Sequence, residues 1–467
     1  MMEKRRWNTI FVMALTVMAL ALAACQPQAV EVTRVIQEEV TRMVTDTIEV
    51  EGEQVEVTRI VTEQIEVTRV VEPEAEPQGP VTISFWHSYN DVEMEALENQ
   101  VIPVFEEANP NVTVEAVNVP YDEFRRKLLT AMAGGTAPDL IRSDIIWVPE
   151  FADMGALVAL DELMPDFDEY ASAVFPGPLE TNFLNGHYYG LPLDTNTRVL
   201  VYNEAMFEAA GIDGPPQTME EFVTACEQIK TLGADVYCFA DGGTYAWAVN
   251  PWIWSFGGAV TDEAISTSTG FLDGDGTQEA YEYLKMLVDE GYMHPGILGE
   301  GVDAWGAFGS DQVAMLLEGP WFTPFFSGSF PDKEYGFALM PAGPGGSVSV
   351  VGGEDIVMFQ QSQHKEEAAD FIRHMLSEET QLQLVEVGQM PVLTSVLETD
   401  TIQNHDFFAI FLEQIETAQA RTPHPNWTQI EEVLTNAGAS YLRGEQTFDE
   451  AFAAATLEID PLLVLPE

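Results

Sequence analysis

Tryptophans set beside glycine, proline and acids are the side chains in this sequence best suited to chemistry. They stand at Trp86, at Trp147, in NPWIWSFGG around Trp252 and Trp254, in DAWGAFG around Trp305 and in EGPWF around Trp321. A flat ring offers an apolar face to C–H groups, while neighbouring carboxylates and amides accept from and donate to hydroxyls. That combination suits a sugar, whose ring carries C–H groups on its faces and hydroxyls on its rim. Each ring can instead be core. Trp254 and Trp305 are read that way, and Trp321, after Gly-Pro at a predicted strand end, as a platform.

Bond-making chemistry finds little support. The sequence has no His-Glu-x-x-His, no Gly-x-Ser-x-Gly and no glycine-rich phosphate loop, and its seven His never cluster at metal-ligand spacing. DGDGTQEA (273–280) opens like a calcium loop, but Leu284 stands where the closing acid belongs, so it reads as a turn with Thr277 capping a helix. No catalytic residue, metal or cofactor is expected. A formal charge of −58, from 77 acids against 19 Lys and Arg, disfavours nucleic acid and anionic lipid headgroups as partners.

The elements that hold these residues begin well into the chain. Lys4, Arg5 and Arg6 precede a charge-free apolar run from Ile10 to Ala24, the pattern of a secretory signal over 1–24. The run ends in LAAC, which resembles the lipobox of bacterial lipoproteins. The resemblance implies cleavage before Cys25, lipidation of Cys25, and an exported chain tethered to the outer face of the cell membrane without spanning it. Cys226 and Cys238 then remain as an even pair in an oxidising compartment, and a disulfide is expected, two buried thiols being the alternative.

Residues 25–80 repeat one phrase, VEVTR at 30–34 and 55–59 and IEVTR at 65–69, without an aromatic residue, and end in EPEAEPQGP. Such a segment cannot bury itself. It is expected to be a mobile stalk of at most ~3.3 Å per residue, although valine alternation permits β pairing between chains and the spacing of Val57, Val61 and Ile65 permits a helix.

From Val81 the pattern changes. VTISFWH, NVTVEAVNV and DLIRSD read as strands, separated by the helical MEALENQVIPVFEEAN and YDEFRRKLLTAMAGG. This βαβαβ order predicts a parallel sheet covered by helices, with ligands at the carboxyl ends of the strands. Residues 81–467 exceed one ordinary core, so two lobes are expected.

The motif order TISFWHSY, LLTAMAGGTAPDLIRSD, FADMGALVALDEL, GHYYGLPLDTNTRVLVYNEAMF, SDQVAMLLEGPW and YGFALMPAGPGG resembles the solute-binding proteins of carbohydrate ABC importers, the family that includes maltose-binding protein. The likeness covers nearly all of 81–460. It implies an α/β, two-lobed periplasmic-binding-protein fold of type II kind, each lobe a mainly parallel sheet flanked by helices. Lobe one would comprise 81–193 with 341–391, and lobe two 197–338 with 395–460. Crossings would fall near Leu193–Asn196, Met340–Pro341 and Met390–Leu393. The implied function is a monomeric, non-enzymatic receptor that delivers a carbohydrate to ABC importer permease subunits.

The resemblance also implies ligand contacts. These are Trp86, His87 and Tyr89 after the first strand, Ser143 and Asp144 after the third, Asp194 and Asn196 at a crossing, Asn250 and Trp252 in NPW, Trp321 in GPW, and Gly353 and Glu354 in VGGED. Amides at 196 and 250, where relatives carry acids, put maltose itself in doubt. A same-fold glycerol-3-phosphate receptor would want Arg or Lys, and none of these positions is basic. A secreted glycoside hydrolase, sharing aromatic platforms and acids, is the rival from another class.

Overall fold

The computed structural model describes residues 32–50, 53–71, 79–299, 301–403 and 406–465. The signal segment 1–24 and Cys25 lie outside the described residues. Two compact units result, one up to Gly79 and one from Pro80 onward. In the first, strands β1 (Val32–Val50) and β2 (Glu53–Val71) pair antiparallel along their whole length, from Val50↔Glu53 to Val32↔Val71. Of the conformations the repeat permits, the structure shows β pairing, and within one chain instead of between chains: β-branched residues fill more than half of both strands and suit an extended, hydrogen-bonded backbone.

The described residues of the second unit form two main sheets and one two-stranded ribbon. In the larger, β3 (Val81–His87) lies parallel to both β4 (Val112–Asn118) and β5 (Leu140–Asp144). The short strands β6 (Phe183–Leu184) and β7 (His187–Tyr188) form a separate ribbon. β8 (Gly190–Thr197) pairs antiparallel with a return strand that also pairs antiparallel with β5. The smaller sheet has the order β10 (Tyr237–Phe239), β11 (Val313–Glu318), β9 (Val199–Asn203), β12 (Tyr335–Ala338), with β9 antiparallel to both its neighbours. The return strand is β13 (Val350–Met358), and β14 (Gln419–Ala420) extends its edge. Parallel βαβ pairing therefore holds for β3–β5, as the local pattern requires, while at the first two crossings β8 and β5 pair antiparallel with β13, and β11 and β12 antiparallel with β9.

Alternation fixes which side chains face the helices. Along β3 and just beyond it Val81, Ile83, Phe85, His87 and Tyr89 are buried, whereas Trp86, Ser88 and Asn90 on the opposite parity are not. Ile83, Phe85 and Leu140 pack with Phe105, Phe371 and Met375 from covering helices. The other face contributes Phe124, Leu128, Ile141 and Phe151 to a core that continues into Phe222, Phe239, Trp252 and Tyr281 around the smaller sheet. Among the described residues no helix is long and apolar enough to cross a membrane.

The chain passes between sheets from β8 to β9, from β12 to β13, and after β14. The last passage differs from the one expected near Met390–Leu393. Val396, Ile402 and Phe411 join the same apolar cluster as Ile83 and Phe85, so the stretch from Val396 to Phe411 stays with the first lobe. Only the helices Trp427–Leu442 and Phe448–Leu462 pack into the second.

Cys226, on the helix Met219–Lys230, is bonded to Cys238 on β10, and both are buried. Closing a loop of sequence separation 12 restricts the unfolded chain by about 3 kcal/mol on the chain-entropy estimate. The double variant Cys226→Ala/Cys238→Ala should lose about that much in urea unfolding. An unshifted midpoint would show that the bond constrains nothing the fold needs.

Candidate functional site

A cavity of ≈ 660 Å³ opens between the two lobes. From the first lobe it receives Ser88, Asn90 and Glu93 after β3, Tyr121 and Asp122 after β4, Arg142 and Asp144 on β5, and Gly352–Glu354 on β13. Asn196 lines it at the crossing, and the second lobe supplies Tyr245, Trp247, Trp305, Trp321 and Glu431, with Arg421 entering just after β14. The site thus gathers at the carboxyl ends of the parallel strands.

Its floor is a row of acids built by register. Glu354 on β13 stands opposite Asp144 on β5 and opposite Asp194 on β8. Cross-strand neighbours project from the same face, so three carboxylates are brought side by side, an unfavourable arrangement without cations. Two arginines supply them. Arg142, two residues before Asp144 and hence on the same face of β5, donates from Nη2 to Asp194 at 2.9 Å and to Glu354 at 2.7 Å. Arg421 Nη2 donates to Asp144 at 3.1 Å. Asp144 also accepts from Tyr121 Oη at 2.6 Å and from the Ile146 amide at 3.0 Å.

Burial sets the electrostatics here. It pushes the Glu354 carboxyl well above the usual carboxylate range, against the pull of Arg142, and it raises Glu93 and Glu431 as well. For Arg142 burial works the other way, but Asp194 and Glu354 overcome it and hold the guanidinium charged. The Tyr89 ring lies 4.4 Å from the Arg142 Cζ, a cation–π contact.

Opposite the floor stands an aromatic wall. The Trp247 and Trp321 rings lie 6.1 Å apart, tilted by 32°, and Arg421 Cζ sits 5.2 Å from the Trp247 ring. Two glycines make room. A methyl on Gly352 would overlap Asn196 and Trp247, and one on Gly319 would overlap the six-membered ring of Trp321.

Of the residues singled out from sequence, Asp144, Asn196, Trp321, Gly353 and Glu354 line the cleft. The others do not. His87 and Tyr89 have the buried parity of β3, and burial lowers the His87 pKa to about 4, so its imidazole is neutral. Trp86, on the other parity, packs edge-on against Phe124 at 6.5 Å. Ser143 points to the face opposite Arg142 and is fully buried, and Asp194 is buried beneath the cavity holding Arg142. Asn250 and Trp252 belong to the second lobe's core, Trp252 meeting Phe222 and Phe239 edge-on at 5.7 and 5.5 Å. Trp305, read as core, is in the wall.

Sequence reasoning missed Ser88, Asn90, Arg142, Trp247 and Arg421. Parity within FWHSYN and DLIRSD carried a signal for the first three, since Ser88 and Asn90 alternate with His87 and Tyr89, and Arg142 shares a face with Asp144. Arg421 reaches Asp144 across 277 residues, and no local pattern announces that.

Residues 90–382 match the family model described as bacterial extracellular solute-binding protein. A binding protein of Brucella abortus is 29% identical over 374 residues, which cover 78% of this chain and 89% of that protein. Among solved structures, the GacH receptor of Streptomyces glaucescens, studied unliganded and with acarbose, is similar with a TM-score of 0.75 and 27% identity, over 83% of this chain and 99% of the receptor. An ABC transporter solute-binding protein of Thermotoga lettingae bound with α-D-tagatose gives 0.75 and 28%, over 82% of this chain and 100% of its own.

Proposed function

Since the chain belongs to the family of bacterial extracellular solute-binding proteins, we propose that it is a receptor which captures a mono- or oligosaccharide between its lobes and delivers it to an ABC importer. The observation that carries the reading is the pairing of free polar atoms in the cleft. Asn196 Oδ1, an acceptor, and Arg421 Nε, a donor, are buried there without partners. A hydroxyl satisfies both kinds, because it donates one proton and accepts on its lone pairs. The tryptophan wall supplies the apolar faces that sugar rings stack on.

A phosphate or carboxylate ligand fits less well. It only accepts, and it would approach Glu93, Asp144 and Glu354. The charges of the two arginines of the cleft are already offset by carboxylates. Closure around the guest is a shift in an open–closed balance, driven by contacts available only when both lobes touch it. At the amino end, lipidation of Cys25 would hold the receptor at the outer face of the membrane, with residues 26–79 as the spacer.

Thermal-shift screening of protein starting at Pro80 against mono- and oligosaccharides tests this. A cognate sugar at a hundred times its Kd should stabilise the folded state by about 2.7 kcal/mol and be recovered intact. Release of new reducing ends would instead make the protein a glycoside hydrolase.

A further inference from the structure

We infer that Glu318 is the positioning residue for the wall of the cleft: one carboxylate, placed behind the wall, sets both Trp305 and Trp321. Glu318 is the last residue of β11. Its Oε1 accepts from Trp305 Nε1 at 2.7 Å and its Oε2 from Trp321 Nε1 at 3.2 Å. The two rings arrive from different elements, Trp305 on the helix Ala304–Gly309 and Trp321 at the start of the helix Phe322–Ser329. Neither helix alone fixes the angle between them.

The location of Glu318 decides what the rings present to a guest. Glu318 lines a second cavity of ≈ 280 Å³ behind the wall, which shares Tyr245, Trp247 and Trp321 with the cleft, and it is absent from the lining of the cleft itself. Each indole has a single polar group, a donor N–H. With both donors held from behind by the two oxygens of one side chain, the rings are restrained and turn apolar faces forward. The nearest cation cannot take the carboxylate away, because Arg198 donates to Asp241 at 2.8 Å and to the backbone oxygens of Leu317 and Trp247.

Trp321 is further confined by Gly319, whose missing side chain leaves the volume that the ring fills. Trp305 packs on Phe322 and Phe325 at 5.7 and 5.0 Å. Packing limits where each ring lies, and the shared carboxylate fixes their rotation. The clamp is a property of the protein alone; its consequence for affinity rests on the carbohydrate reading.

The test uses the whole chain labelled with 15N at tryptophan, with the indole N–H signals of Trp305 and Trp321 assigned through Trp305→Phe and Trp321→Phe. Glu318→Gln keeps the volume but leaves one oxygen for two donors, so at least one of the two N–H groups should exchange with solvent about tenfold faster, and affinity for the sugar found by screening should fall about tenfold. Glu318→Ala should release both; if that variant fails to fold by circular dichroism, Glu318→Gln carries the test. Wild-type exchange rates in the folded variants would overturn the clamp. Faster exchange with unchanged affinity would overturn the positioning role. If the wild type binds no sugar, the receptor reading fails, while the exchange rates still judge the clamp.

Discussion

Replacing Arg142 by leucine is expected to destabilise the folded protein by about 3–5 kcal/mol, the cost of leaving a buried ion-pair partner uncompensated. Arg142 is 5% exposed and a single nitrogen of its guanidinium bridges Asp194 and Glu354. Without it the register that aligns Glu354 with Asp144 and Asp194 places buried carboxylates together with only Arg421 nearby. The loss should depend on pH in a definite direction. Glu354 already titrates above the normal range through burial, and Arg142 is what restrains it, so the variant raises its folded-state pKa further. A group whose folded pKa exceeds its unfolded value favours folding below the unfolded value, and that contribution disappears as pH rises through the folded value. The gap between variant and wild-type urea midpoints should therefore be widest near neutral pH and narrow on acidification towards an ordinary glutamate pKa of about 4.3. Coincident midpoints at neutral pH would mean that the floor is not held by this pair.

Trp321→Ala should weaken carbohydrate binding at least about tenfold, or 1.4 kcal/mol, while the unliganded protein melts close to the wild type. The ring is half-buried, lines the cleft and faces Trp247, so its removal takes away a stacking face without opening the main core. Gly319→Ala should act in the same direction, because the added methyl would occupy the volume of the Trp321 ring. Calorimetry with the sugar found by screening reads both; equal affinities for wild type and Trp321→Ala would remove the wall from the binding surface.

The acids of the floor and the aromatic wall do different work. Within the floor Asp144 holds Arg421, Tyr121 and Ile146, so the carboxylate expected to grip a hydroxyl is mostly engaged with protein. Unpartnered atoms lie instead at Asn196 Oδ1, at Arg421 Nε and, beneath the cavity, at Asp194 Oδ1. On this reading selectivity for a particular sugar rests on a few unpaired atoms and on ring angles, which is why Glu318 matters although it does not line the cleft.

What the sequence determined by itself was local. The order of the strand-like VTISFWH, NVTVEAVNV and DLIRSD with helical segments between them specified the parallel strands β3–β5 and their covering helices, because a parallel connection needs a crossover. The aromatic residues beside acids, the missing catalytic motifs and the order of motifs pointed to sugar capture without bond-making. Parity along β3, followed past the strand end, separates His87 and Tyr89 from Ser88 and Asn90. Tertiary structure alone decided which distant side chains meet. It sends Trp252 into the second lobe's core and Trp247 into the wall, although both lie on one helix. It brings Arg421 to Asp144 from 277 residues away and keeps the stretch from Val396 to Phe411 with the first lobe. The reason is physical: an amphipathic pattern states that a face will be covered, but the partner that covers it is fixed only when sheets, crossings and charges are satisfied together.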